Sequence, residues 1–221
     1  MKNHCLAISG EFACFTRPEM KVERVSYDVI TPSAARAVFE SILWKPGIRW
    51  HVRRIEVLRP ILWMNLRRNE VGAVISSRNV TQAMNLGHGD LALYIEDERQ
   101  QRAGLLLRDV AYRVHAELEV RPSGGAAEPP AKYHAMFERR ADAGQWVNQP
   151  YLGCREFAAR VRRVASLHEE PAPIADERDL GWMLHDLDFT RPADPQPRFF
   201  RAHMNAGVID VPAFDGAELA R

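Results

Sequence analysis

From residue 106 to residue 120 apolar and polar side chains alternate, with Val110, Tyr112, Val114, Ala116, Leu118 and Val120 on one side and Arg113, His115, Glu117 and Glu119 on the other. A repeat of two is the periodicity of a strand, so the segment predicts a long, half-buried strand whose apolar face needs a cover. Helices on either side of it in sequence can supply that cover. Thr31-Pro32 offers an N-cap and a first-turn proline, and Ala35, Val38, Phe39 and Ile42 recur at helical spacing until Lys45-Pro46-Gly47, which predicts an amphipathic helix over 32–44. A second helical segment carries Tyr133, Met136, Phe137 and Arg140.

The remaining strands follow from shorter signals. Cys5-Leu6-Ala7-Ile8-Ser9-Gly10 reads as a buried strand stopped by glycine, followed by a polar loop to about residue 30. Ile48, Trp50 and Val52 alternate with Arg49, His51 and Arg53, after which the apolar phase flips to Ile55 and Val57, so a bulge is expected near Arg53-Arg54. Residues 61–104 read as a β-rich insertion with loops, 121–130 as a Gly/Pro loop, and Phe157, Ala159 and Val161 as a further strand. Strand, helix, strand, insertion, strand, helix, strand is the β-α-β-β-α-β order. The expected class is therefore α+β, a ferredoxin-like domain over residues 1–167 with a β-rich insertion. A linker at 168–178 leads into a small C-terminal antiparallel β domain over 168–221, built from 180–189, 198–204 and 208–211 with a hairpin around Asn205-Ala206-Gly207.

Composition narrows the function. The 221 residues are 46% hydrophobic and 27% charged, with no apolar run long enough for a membrane span or a signal peptide, which points to a soluble cytoplasmic protein with no membrane partner. Cys5, Cys14 and Cys154 form neither a disulfide framework nor a zinc motif and read as buried or idle thiols. The net charge of +1 conceals a gradient: residues 1–70 carry 12 Lys and Arg against 7 Asp and Glu, and residues 166–221 carry 5 against 11. Of the 30 cations 26 are arginine, the planar fork suited to phosphate. A basic N-terminal third favours a polyanionic partner.

The eight histidines form no metal-ligand spacing, and no Walker, GxGxxG or GxSxG sequence occurs, so neither a metal nor another cofactor is expected. One cluster carries chemistry. Lys132-Tyr133-His134 follows the Gly/Pro loop at a helix start, where free N–H groups attract anions, a lysine can offset charge on a pentavalent phosphorane, and a histidine can titrate near neutrality. Lys132 and His134 are two positions apart, so they converge only if Lys132 precedes the first helical turn. Arg53-Arg54 and Arg67-Arg68 read equally well as solvated charges or phosphate contacts, and Trp44 and Trp50 read as core.

The run Gly10-Glu11-Phe12-Ala13-Cys14-Phe15-Thr16-Arg17-Pro18-Glu19-Met20, with Trp44-Lys45-Pro46, Arg67-Arg68-Asn69-Glu70, Leu107-Arg108-Asp109-Val110, Pro150-Tyr151-Leu152-Gly153-Cys154 and Asn205-Ala206-Gly207-Val208-Ile209, resembles a known family. It is similar to the type I-C (Dvulg-subtype) CRISPR-associated proteins of the Cas-five group, subtype d, in the RAMP superfamily. The resemblance implies a RAMP/RRM-like fold and a metal-independent endoribonuclease. Such a protein binds the CRISPR repeat hairpin of the precursor transcript and cleaves at its 3′ base by 2′-OH attack. It then stays on the 5′ handle of the mature crRNA as a subunit of the type I-C surveillance complex. Apart from the resemblance, metal-dependent cutting of DNA has no visible ligand cluster behind it, and non-specific DNA is kept only as a side partner. The family's catalytic lysine matches Lys132, and its following histidine falls at Tyr133, with His134 one place later. Its catalytic tyrosine falls at Leu43, which cannot exchange a proton. Two readings follow: an endoribonuclease in which Lys132 keeps its electrostatic role and Tyr133 or His134 transfers the proton, or a non-catalytic 5′-handle-binding subunit. Arg17, Arg24, Arg67 and Arg68 are the expected RNA-binding residues.

Overall fold

The structure is a computed structural model that describes residues 2–20, 22–121 and 129–220. Most of the Gly/Pro loop expected at 121–130 therefore lies outside the described residues. Eight strands and three helices follow in the order β1 (Asn3–Ala13), α1 (Pro32–Ile42), β2 (Ile48–Val57), β3 (Leu62–Val71), α2 (Ser77–Leu86), β4 (Arg99–Val120), α3 (Pro130–Asp142), β5 (Arg160–Arg163), β6 (Arg178–Asp188), β7 (Gln196–Met204) and β8 (Val208–Asp210). Among these, no helix is long and apolar enough to cross a membrane.

The main sheet has the order β5-β1-β4-β2-β8, antiparallel at every pairing. Each strand–helix–strand unit is split: β4 lies between β1 and β2, and β1 lies between β4 and β5. Two interlocked split units are the βαββαβ plan read from the sequence. The register of β2 against β4 shifts between Val52 and Arg54, placing the bulge where the apolar phase flips.

The helices cover the face bearing Leu6, Ile8, Trp50, Val114, Ala116 and Leu118, all buried. Helix α1 begins as its sequence predicts, with the Thr31 hydroxyl accepting from the Ala34 N–H at 3.3 Å, a cap worth about 1 kcal/mol. It ends two residues early, at Ile42, where Leu43 turns extended and its carbonyl accepts from the Trp50 indole N–H at 2.9 Å. Phe137 of α3 stacks on Phe39 of α1 with ring centroids 5.7 Å apart and meets Trp50 of β2 at 4.6 Å, so one aromatic cluster ties both helices to the sheet.

Several expectations are corrected. The polar face of β4 is not open to water: Arg113, His115 and Glu56 are buried, and the Arg113 guanidinium donates to the Pro171 carbonyl at 3.0 Å, so the segment after residue 168 lies over them. The loop before α1 is only partly polar, since Tyr27, Val29 and Ile30 enter the core. Residues 61–104 contain a ribbon of β3 on the N-terminal half of β4, but also helix α2, none of whose residues is buried. The small C-terminal sheet consists of β6 and β7; β8 pairs with β2 in the main sheet instead. Ala206 and Gly207, at φ 48° and 74°, form the two-residue turn that passes the chain from one sheet to the other. Trp50 is core, whereas Trp44 is 58% exposed.

Candidate active site at the start of the third helix

Pro130 occupies the first turn of α3, where its missing N–H costs nothing, and the Lys132 N–H closes a tight turn onto the Pro129 carbonyl at 2.9 Å. Lys132 thus lies inside the first turn rather than before it. At ~100° per residue, Lys132 and His134 diverge to nearly opposite flanks of the helix. The condition for their direct convergence is not met. Tyr133 lies between them and packs half-buried against the core, on the flank that also carries Phe137.

His134 turns toward β1. Its Nδ1 lies 2.7 Å from Nε2 of His4, an almost fully buried residue opposite Ala116 in the sheet register. The His4 ring is clamped edge-on by Trp50 at 5.6 Å and by Phe137 at 4.8 Å. Its Nδ1 faces Glu138 at 3.7 Å, and Glu138 in turn accepts from the Lys2 ammonium at 2.5 Å. Burial, then the neighbouring His134, pushes the His4 pKa down to about 4. Burial, then the Lys2 charge, lowers that of His134. The hydrogen bond from Lys2 holds the Glu138 carboxyl below its ordinary value. At neutral pH the two imidazoles are therefore uncharged beside an ionised carboxylate.

A cavity of about 390 Å³ opens beside this group, lined by Lys2, His4, Cys5, His115, Glu138 and Arg163 among others. Among the described residues no group of three or more His, Cys, Asp or Glu side chains is placed to hold a metal ion. Leu43 is fully buried in the core, so the position of the expected family tyrosine offers no proton donor and no exposed surface.

The four arginines expected to bind RNA lie elsewhere. Arg24 and Arg68 both reach Glu70, at 3.8 and 2.9 Å, where Arg102 joins them at 3.0 Å; Arg68 also pairs with Glu156 at 2.8 Å. Arg17 pairs with Asp28 at 3.2 Å and lies over the Tyr27 ring. Arg67, on the exposed face of β3, makes no ion pair among the described residues. Arg102 and Ala116 are 14 residues apart on β4, roughly 45 Å along the strand at ~3.3 Å per residue, so the arginine cluster and the His4–His134 pair occupy different ends of it. The charge gradient is also partly cancelled in space: Arg36 pairs with Asp186 at 2.7 Å and Arg54 with Asp210 at 3.1 Å, basic N-terminal residues meeting acidic C-terminal ones.

Sequence reasoning did not find His4, Glu138 or Lys2. The spacing of four between His134 and Glu138 was a readable helical signal. The participation of β1 was not, because it depends on how α3 docks on the sheet.

The chain is similar over nearly its whole length to known proteins. A family model described as CRISPR-associated protein (Cas_Cas5), of the Cas5d type, matches residues 5–212. A protein of Mannheimia succiniciproducens named CRISPR pre-crRNA endoribonuclease Cas5d is 49% identical over 223 residues, covering 98% of this chain and 97% of its own. Its namesake from Thermus thermophilus is 43% identical over 230 residues, covering 96% and 92%. A solved structure of a CRISPR-associated protein superposes with a TM-score of 0.70 at 21% identity, covering 100% of this chain and 97% of that one, a likeness of fold. A chain of a CRISPR RNA-guided surveillance complex shares the fold more distantly, with a TM-score of 0.52 at 18% identity and coverage of 96% and 92%.

Proposed function

This chain belongs to the Cas5d family of CRISPR-associated proteins, and on that premise we propose that it is the endoribonuclease that processes the CRISPR precursor transcript. The observation that carries the reading is near-full-length identity of 49% and 43% to two proteins named for that activity. The protein binds the repeat hairpin, cuts at its 3′ base, and stays on the 5′ handle of the mature crRNA as a subunit of a type I-C surveillance complex. It acts in the cytoplasm, where the transcript is made.

The reaction needs no metal in this reading. The ribose 2′-oxygen loses its proton and attacks the adjacent phosphorus, the bond from phosphorus to the 5′-oxygen breaks, and the products are a 2′,3′-cyclic phosphate and a 5′-hydroxyl. His134 takes the 2′-OH proton, and the departing 5′-oxygen takes one from water. Acid–base help of this kind contributes roughly 10²–10⁴-fold. Lys132 faces the phosphate from the N-terminal end of α3, where the helix dipole also favours the negative charge that grows in the transition state. Because the 2′-oxygen and the phosphorus it attacks lie only ~3 Å apart, the scissile unit must sit across the N-terminal end of α3, where the long Lys132 side chain reaches round toward the flank of His134. Tyr133 is half-buried between them and packs the helix to the core.

The buried Leu43 favours a second reading, a handle-binding subunit without activity. Repeat RNA in EDTA, with and without a 2′-deoxy at the cut, separates the two. Cleavage of the ribose form alone, lost in Lys132→Ala and His134→Ala, is the expected result; tight binding of both RNAs without cleavage would establish the second reading.

A further inference from the structure

His134 is not an isolated base. Its Nδ1 meets His4 Nε2 at 2.7 Å, His4 Nδ1 faces Glu138 at 3.7 Å, and Glu138 is salted to Lys2. A neutral imidazole has one N–H and one lone pair, so in each ring the state of one nitrogen decides the other. The anionic carboxylate opposite His4 Nδ1 favours N–H over a lone pair there. His4 Nε2 must then carry its lone pair, and the hydrogen bond must run from His134 Nδ1–H to His4 Nε2. That leaves the lone pair of His134 on Nε2, directed away from β1.

We propose that His4, oriented by Glu138, is a positioning residue that holds His134 in the Nε2-basic tautomer required to take the 2′-OH proton. The inference rests on the function proposed above. The geometry behind it is specific. Trp50 and Phe137 clamp the His4 ring on two sides and prevent it from rotating, and the buried strand that bears it cannot move without breaking its pairing with β4. His4 therefore offers a fixed acceptor, while His134 sits on the helix flank open to substrate. The arrangement has the logic of a carboxylate orienting a catalytic histidine, with a second imidazole inserted between them. The charged and titratable groups facing the pair are Lys2 just before β1, Glu138 on α3 and Arg163 on β5.

Three measurements on the full chain test it. Nitrogen-15 spectra of the histidine rings read the tautomer directly: His134 should be protonated on Nδ1 at pH 7.5, and protonation on Nε2 would overturn the proposal. Single-turnover cleavage with RNA affinity measured alongside reads its consequence. H4F keeps a ring between Trp50 and Phe137 but removes the acceptor, and should slow cleavage at least tenfold at unchanged RNA affinity. H4Q restores an acceptor near the Nε2 position and should come back to within about threefold of wild type. The H4F/H134A double variant should be no slower than H134A alone. In H4F the acidic limb of the pH–rate profile should move to lower pH, because the imidazolium of His134 loses the partner for its second N–H; a purely structural role for His4 would lower the melting temperature and leave that limb in place.

H4F cleaving at the wild-type rate while H134A is inactive would overturn the relay and leave the function intact. H4F and H134A both cleaving at the wild-type rate would overturn the assignment of the site itself. Should H4F not fold, E138Q carries the test from the helix surface: a threefold or greater loss of rate is expected, and none would overturn the proposal.

Discussion

Glu56 is the residue whose loss should be felt furthest from any site. Its carboxylate accepts from Arg113 Nε at 2.6 Å and from a second Arg113 nitrogen on one oxygen, and pairs with His115 Nε2 at 2.8 Å on the other. All three side chains are buried beneath the segment that follows residue 168. Replacing Glu56 with Gln removes the counter-charge and leaves a guanidinium in a dry interior, with the Pro171 carbonyl still bound to it. Breaking a buried pair in this way costs about 3–5 kcal/mol. In a chain of this size each kcal/mol moves the melting temperature by ~2–4 °C, so a fall of roughly 6–20 °C is expected by scanning calorimetry. The double variant Glu56→Leu/Arg113→Met removes both charges and should melt close to wild type or above it. The deficit of the single variant should be nearly the same at low and high salt, because buried charges are little screened. A fall of less than about 3 °C, or one that vanishes in salt, would show that water reaches Arg113 and that residues 168–174 do not seal this face of the sheet.

Other expectations follow from single residues. His4 holds a pKa of about 4 in the fold against 6.5 when free, so between those values the unfolded chain binds more protons; stability should be complete above about pH 6.5 and fall by roughly 3 kcal/mol as the pH drops toward 4. Urea titrations across that range should show the slope, and H4F should flatten it. Arg67→Ala should weaken repeat-RNA binding and reduce the salt slope by about one, whereas Arg68→Ala, which strips Glu70 and Glu156 of a partner, should lower the melting temperature more than the slope; the reverse pattern would refute the assignment. Gly153 has φ 83° and its absent Cβ would point into the Cys14 carbonyl, so Gly153→Ala should cost at least ~1 kcal/mol, read as a fall of 2–4 °C or more. An unchanged melting point would mean that the loop relaxes freely.

The elements that were legible in the sequence are those whose cause is local. Alternation in β4, the Thr31 cap of α1 and the phase flip at Arg53-Arg54 each reflect a physical requirement within a few residues of itself. Helix α2 was missed because it buries no residue, so its apolar positions follow no core-facing stripe; Ser76 before it and Gly87 after it, in the left-handed region at φ 71°, were the signals available. The pairing of β8 with β2 rather than beside β7 was hidden because a strand's sequence does not name its neighbour. The same reason separates the two halves of the site. Lys132, Tyr133 and His134 are contiguous and could be read directly, but His4 joins them across 130 positions, and only the docking of α3 on β1 brings it there. The arginines could be read as a basic run along the chain, but the carboxylates they meet, Asp28, Glu70 and Glu156, could not be paired with them before the chain folds.

The strand order also sets a timetable for synthesis. β1 takes its partners from residues 107–117 of β4 and from β5, so the first eleven-residue strand of the chain has no mate until more than ninety further residues exist. At ~5–20 residues per second, Leu6 and Ile8 wait on the order of 5–20 s with their apolar side chains unsheltered. Closure of the β4–β5 unit must wait longer still, and such distant pairings fold slowly. A nascent chain built on this plan carries that apolar surface uncovered throughout the interval, and the hydrogen bond between His4 and His134 can form only after it ends.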